Sequence, residues 1–326
     1  MALPVNIRDL AKAGAKIRED REKPVRIAIV VEADAADELV EVVRSRMHPF
    51  TAGATLQIEV VEPGVKLLID SSADVVVGVA GSGRLGMKEQ LAATRTRSIP
   101  TVALALTEDR DDAADRLDHP YLDTLVDSDA VHLVEEELGE WLTEHVSGKR
   151  LAMAANFAFM RRAVSEEAVK ATAFQNALIG GVAIIPGADM PLMTANQAKM
   201  IMQIAAAFGE EIGTERIKEL AAVVGGGFAL RAVARQALTF VPVLGWAVKG
   251  GFGYGGTLAM GYAAIKYFEG GADLSEVTEQ LAHLKRRAVE TKDRAVKRLR
   301  SADLPETILD AEGVAVEPLP EIEDGQ

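Results

Sequence analysis

Cysteine is absent from this 326-residue chain. That removes disulfides, thiolate nucleophiles and cysteine-ligated zinc together, and leaves the redox compartment undetermined. Aromatic residues are scarce, at 5%. Positive charge is outweighed, with 36 Lys and Arg against 49 Asp and Glu and a net charge of −13. A general nucleic-acid role is excluded on that ground, because phosphate binding draws on a lysine and arginine surplus. Catalytic signatures are missing too. The five histidines, His48, His119, His132, His145 and His283, are scattered without HExxH or other ligand spacing, and no GxSxG marks a nucleophile. No catalytic residue, cofactor or metal is expected from these patterns. The N-terminal charges have no apolar h-region between them, so neither a signal peptide nor a mature secreted form is expected.

What is present is segregated. Hydrophobic residues make up 48% of the chain and charged ones 26%, with a mean hydropathy of +0.10. The length allows two domains, each with its own core. Residues 1–24 hold a short amphipathic helix with Ile7, Leu10, Ala13 and Ile17 on one stripe, stopped by Pro24. It is expected to pack on the following domain; a membrane-skimming anchor is the alternative.

Residues 25–147 alternate strand and helix patterns. RIAIVVE (26–32), ADVVVGVA (73–80) and IPTVALALT (99–107) are runs of the buried parallel-strand type, and TLQIEVV (55–61) alternates like a strand with one wet face. AVHLVE (130–135) is the last strand candidate, followed by a helix from Glu136 to about His145. Helical spacing separates the others, in ADELVEVVRSRM and MKEQLAATRTR. Such alternation predicts an α/β doubly wound parallel sheet. The aspartate-crowded stretch from Glu108 to Asp129 lacks the glycine and ligand alternation of a calcium loop and is expected to be a solvated loop with a short helix.

A sheet of this kind invites a nucleotide. After the first strand, however, stand Glu32, Ala33, Asp34, Ala35, Ala36, Asp37 and Glu38, with no glycine and no lysine. Clustered carboxylates repel phosphates, so binding in the P-loop manner is excluded. Gly81-Ser82-Gly83-Arg84-Leu85-Gly86 does follow a strand pattern, and Glu108 lies about 20 residues further on, which is the spacing of a dinucleotide fingerprint. It comes after a later strand than that fingerprint normally does. A tight strand-to-helix turn is expected here, with a nucleotide-binding enzyme using Gly81, Gly83 and Gly86 as the alternative.

From residue 148 to 270 no strand pattern recurs and the composition turns to alanine, glycine and methionine. LAMAANFAFMRRAV and SEEAVKATAF read as two helices, the second capped by Ser165. An uncharged passage from Ala171 to Ala188 ends at Pro186-Gly187; Asp189 then caps a helix striped by Met193, Gln197, Met200, Ile201 and Ile204. After Gly225-Gly226-Gly227, Arg231 and Arg235 share one helical face, and Pro242 and Gly245 mark a second turn. Residues 250–265 carry two small-residue rows, Gly251, Gly255, Ala259, Ala263 and Gly253, Thr257, Gly261. Interior glycine costs a helix about 1 kcal/mol each against alanine, so close helix–helix approach is expected along these rows. An all-α domain of helical hairpins follows. The longest uncharged runs fall just short of the roughly 20 residues of a spanning helix, and both a buried hairpin domain and bilayer insertion stay open.

NALIGGVAIIPGADMPLMTANQAKMIMQIAAAFG, GGGFALRAVARQALTFVPVLGWAVKGG and GGTLAMGYAAIKYFEGG together resemble the YcjF-like domain of unknown function, over about 168–270. That family occurs in bacterial membrane proteins and as the C-terminal domain of certain Era-type GTPases. The matching positions are Pro186, Gly187, Asp189, Gln197, Met200, Arg231, Pro242 and Gly245. The resemblance implies no catalytic role. It casts residues 25–147 as similar to a degenerate GTPase domain: EADAADE stands at the P-loop, no DxxG precedes ADVVV, and LTED replaces NKxD.

Residues 271–302 read as a basic helix with coiled-coil spacing at Leu274, Val277, Leu281 and Leu284, and eight Lys and Arg between Lys285 and Arg300. Contact with the chain's own acidic surface or with anionic lipid would suit it. The acidic tail 303–326 is expected to be disordered. The expected function is a non-catalytic interaction or scaffold protein with a pseudo-GTPase domain, on the cytoplasmic side of a membrane surface or bilayer. A protein partner or self-association is also expected, and nucleic acid is not. A soluble helical scaffold is the further alternative.

Overall fold

The computed structural model describes residues 7–62, 64–82, 86–95, 98–107, 117–120, 122–182, 190–210 and 245–270. Helix α1 (Ile7–Arg21) precedes β1 (Val25–Glu32), α2 (Asp37–Arg46), β2 (Ala54–Val61), β3 (Val75–Val79), α3 (Met87–Arg95), β4 (Thr101–Leu106) and β5 (Asp123–Asp127). The five strands form an all-parallel sheet in the order β2-β1-β3-β4-β5. The central strands are buried on both faces, which is why their sequences run apolar without alternation. Ile27, Ile29, Val75, Val77, Val102 and Leu104 enter one core, and Ala28, Val30, Val76 and Ala103 enter another. Met87 and Leu91 of α3 fill the second core. Leu39 and Val43 of α2 fill the first. Helices therefore lie on both faces, as a doubly wound sheet requires.

Two expectations are corrected at the last strand. β5 is DTLVD, inside the stretch that reads as a solvated aspartate loop, and AVHLVE is helical. Only Thr124, Leu125 and Val126 separate the two aspartates of β5, too few to give a strand pattern. The chain after it turns helical because the Asp129 carboxylate accepts the Val131 and His132 N–H groups, an N-cap. The helix that follows, α4, has three parts: an α-turn at Ala130–His132, a π segment at Leu133–Leu138 and an α segment at Gly139–His145. The π segment lets Leu133, Val134, Leu138 and Leu142 all reach the first core.

A 3₁₀ turn at Ser147–Lys149 coincides with the change in composition. Beyond it come α5 (Arg150–Asn156), α6 (Met160–Val182), α7 (Met190–Ala207) and α8 (Gly245–Glu269). The Ser165 cap is corrected as well. α6 is one helix from Met160 onward, and Ser165 is fully buried within it. The break falls earlier, at Phe157, which is extended (φ −129°, ψ 117°) and wholly buried. Asn156 fixes that break, accepting the Phe50 N–H on its carbonyl and the Thr51 hydroxyl on Oδ1.

The sheet and the helices share one core. Leu10 and Ile17 of α1, Met153, Phe157, Met160, Val164, and Met202 and Ala206 of α7 belong to the same cluster as Ile27, Ile29 and Leu104. Leu10, Ala13 and Ile17 of the α1 stripe are thus packed against protein. Its last residue, Arg21, donates to the carbonyls of Gly209 and Glu210 at 3.2 Å each, at the end of α7. Lys149 closes the opposite joint, 2.6 Å from both Asp74 Oδ1 and the Pro24 carbonyl.

Candidate functional site

In an open α/β sheet, ligands bind outside the carboxyl ends of the strands, where the strand order reverses. Here that point lies between β1 and β3. The Glu32 carboxylate, buried at the end of β1, accepts the Gly81 N–H at 2.8 Å. Asp34 Oδ2 accepts the Ser82 N–H at 3.3 Å and also the Ser82 hydroxyl. A Cβ on Gly81 would stand 2.1 Å from Asp34 Oδ1 and 2.7 Å from the Asp34 carbonyl carbon. The glycine lets the chain's own loop approach, and the amides that would cradle a phosphate hold carboxylates instead. Gly86 has φ +82° and turns the chain into α3, while Gly83 and Glu108 lie outside the described residues.

At the far edge of the same sheet, the structure gathers groups that the scattered-histidine reading did not connect. Asp127, the last residue of β5, accepts the Asp129 N–H at 2.9 Å, and its Oδ2 lies 3.0 Å from His132 Nδ1. The Asp129 N–H, with His132 assisting against desolvation, holds the Asp127 carboxyl below the usual carboxylate range. Glu137 completes the group, its carboxylate within 4.8 Å of the other two ligand atoms. Their spacing of five residues each from Asp127 to His132 to Glu137 matches no familiar ligand motif. It depends on the strand end and on the π segment.

The third feature is the seam of α6, α7 and α8. Thr257 stands at its centre, accepting from Asn176 Nδ2 at 3.0 Å and Gln197 Nε2 at 2.9 Å and donating to the Gly253 carbonyl at 2.7 Å. Asn196 donates to Asn176 Oδ1 at 3.1 Å. Asn176, Thr194, Gln197 and Thr257 are all buried. A Cβ on Gly253 would lie 2.7 Å from the Asn176 carbonyl oxygen, and one on Gly261 would lie 2.3 Å from Val169 Cγ2. The row Gly253, Thr257, Gly261 is therefore a packing seam between helices. The other row is corrected: Gly255 and Ala259 are exposed, and a Cβ on Gly255 would meet nothing within 4 Å. Close approach is not found at Gly255.

Of the remaining expected positions, Gln197 belongs to the polar layer, and Met200 lies in the apolar cluster of Val169, Ile204 and Ile265 beneath it. Gly245 opens α8 and Gly251 lies within it. Pro186, Gly187, Asp189, Arg231, Arg235 and Pro242 lie outside the described residues, as do the basic helix and the acidic tail. Sequence reasoning missed Asn176 and Thr257 as partners, although Asn176 interrupts an apolar run and Thr257 stands in a glycine row. On the outside of the helices the chemistry is reversed. Phe174 (60%), Leu178 (53%), Leu192 (54%), Tyr254 (41%) and Tyr262 (38%) are exposed. No described helix is long and apolar enough to cross a membrane. No family model, no curated protein and no solved structure matches this chain.

Proposed function

We propose that this protein is a non-catalytic, membrane-associated interaction or scaffold protein. Its α/β portion is a degenerate GTPase-like module, and its helical portion is a YcjF-like unit that attaches the module to a membrane surface on the cytoplasmic side. The observation that carries this reading is the distribution of polarity in α6, α7 and α8. Amide and hydroxyl side chains are buried at the seam, while Phe174, Leu178, Leu192, Tyr254 and Tyr262 face outward. Water favours the opposite arrangement, whereas polar groups turned toward the interior suit an apolar or interfacial exterior. The basic stretch between Lys285 and Arg300 adds attraction to anionic lipid, worth about 1 kcal/mol for each cation near the surface. Loss of nucleotide binding is supported by the Glu32 and Asp34 carboxylates on the Gly81 and Ser82 amides.

Flotation of the full chain with phosphatidylserine-containing vesicles tests the attachment. Binding is expected that weakens in Phe174→Glu and Tyr254→Glu. A protein that stays with the soluble fraction at low and high salt, without detergent, sinks it in favour of a soluble helical scaffold. Titration with GTP, ATP and NAD tests the other half, and saturable binding that Gly81→Ala removes would establish the nucleotide-binding enzyme instead.

A further inference from the structure

We propose that Asp127, His132 and Glu137 form a binding site for a first-row divalent metal ion, in the class of Zn²⁺. Acidic groups that merely share a surface are common without any ion. What distinguishes this group is an imidazole nitrogen set against a carboxylate, together with a second carboxylate delivered from the same helix. His132 Nδ1 and Asp127 Oδ2 are 3.0 Å apart. Two ligands at about 2.1 Å from one tetrahedral ion are about 3.4 Å apart. The pair is thus within about 0.5 Å of the separation of neighbouring ligands, and rotation of the two side chains alone opens room for an ion in place of the proton between them.

Glu137 is brought to the pair by the π segment at Leu133–Leu138. In regular α-helix, residues five apart point well away from each other. In π-helix, where hydrogen bonds run from i to i+5, they are brought back to the same side of the helix. His132 and Glu137 are five apart, His132 just before this segment and Glu137 within it, so the irregular turn draws them together. All three ligand atoms lie within 4.8 Å of one another, a gap that rotation of the longer Glu137 side chain can close. Two features orient the site. Asp127 is fixed by the Asp129 N–H and sits at the carboxyl end of β5, and His132 is held at its backbone by the Asp129 cap. One imidazole with two carboxylates suits a first-row ion such as Zn²⁺, and three protein ligands leave room for water or for a partner's group. This site is independent of the membrane reading, since it lies on the sheet edge.

The test uses the untagged full chain, stripped with a chelator. It is titrated with Zn²⁺ by calorimetry and with Co²⁺ by visible absorption. One ion per chain is expected. His132→Ala or Glu137→Gln should weaken Zn²⁺ binding by at least about tenfold, while His48→Gln, at an exposed position elsewhere, leaves it unchanged. A weakening in either site variant relative to His48→Gln supports the site. Absence of saturable binding up to about 1 mM, or binding that both variants leave as it was, overturns it. Circular dichroism checks that each variant is folded; His132 is more than half exposed and Glu137→Gln keeps the side-chain shape, so at least one of them reports.

Discussion

In the sheet portion, apolar side chains fill both faces and carboxylates collect at the carboxyl ends of the strands. In the seam of α6, α7 and α8, amides and a hydroxyl occupy the centre, and aromatic and aliphatic groups look outward. Glycine serves both regions by permitting close approach, but against different things. Gly81 admits the acidic loop after β1, and Gly253 and Gly261 admit a neighbouring helix. The contrast teaches that composition alone does not assign a glycine-rich passage. The partner that a Cβ would strike decides its role.

The two regions are nonetheless held by one core, and the largest expected effect tests that. Phe157 is fully buried where the chain passes from α5 to α6, in the cluster that also contains Ile29, Leu104 and Met202. Phe157→Ala should cost about 3–5 kcal/mol, measured by denaturant unfolding. If the core is shared, tertiary signals from the sheet and from the helices fall together in one transition. Two separated transitions would mean that the regions are independent domains that only touch.

The next effect separates the two glycine rows. Gly261→Leu drives a side chain into Val169 and should destabilise by about 1–3 kcal/mol through overpacking. Gly255→Ala places a methyl group in open space and should stabilise by up to about 1 kcal/mol through helix propensity. Opposite signs in thermal unfolding sharpen the contrast. A loss on Gly255→Ala similar to that on Gly261→Leu would show that something packs on the exposed row.

Much of the sheet was legible because fully buried parallel strands must be apolar throughout, as β1, β3 and β4 are. β5 was not, because a five-residue edge strand with an aspartate at each end has no period to read. The start of α4 was misread for the same reason in reverse, although its helix from Glu136 onward was legible: Ala130, Leu133 and Val134 are all buried, and that clustering imitates a strand. Gly253, Thr257 and Gly261 were legible as a row, while the choice between that row and Gly251, Gly255, Ala259 depended on the neighbouring helices. The Asp127, His132, Glu137 group was invisible to spacing rules, since those assume regular helix.

The finest effect, read as a difference between two settings, probes the polar layer itself. In Thr257→Val the shape is nearly kept, but Asn176 Nδ2 and Gln197 Nε2 each lose the oxygen they now donate to. In a bundle surrounded by water, whose unfolded chain would satisfy those amides with solvent, the loss should be about 1–3 kcal/mol. In a bundle held against lipid, the reference state finds other partners, and the average cost of such bonds is about 0.6 kcal/mol. Unfolding Thr257→Val with and without anionic vesicles therefore distinguishes the settings. A penalty that shrinks when vesicles are present ties the buried polarity of the seam to an apolar exterior. A penalty that is the same in both places the seam in water, and the outward aromatics then belong to a protein interface.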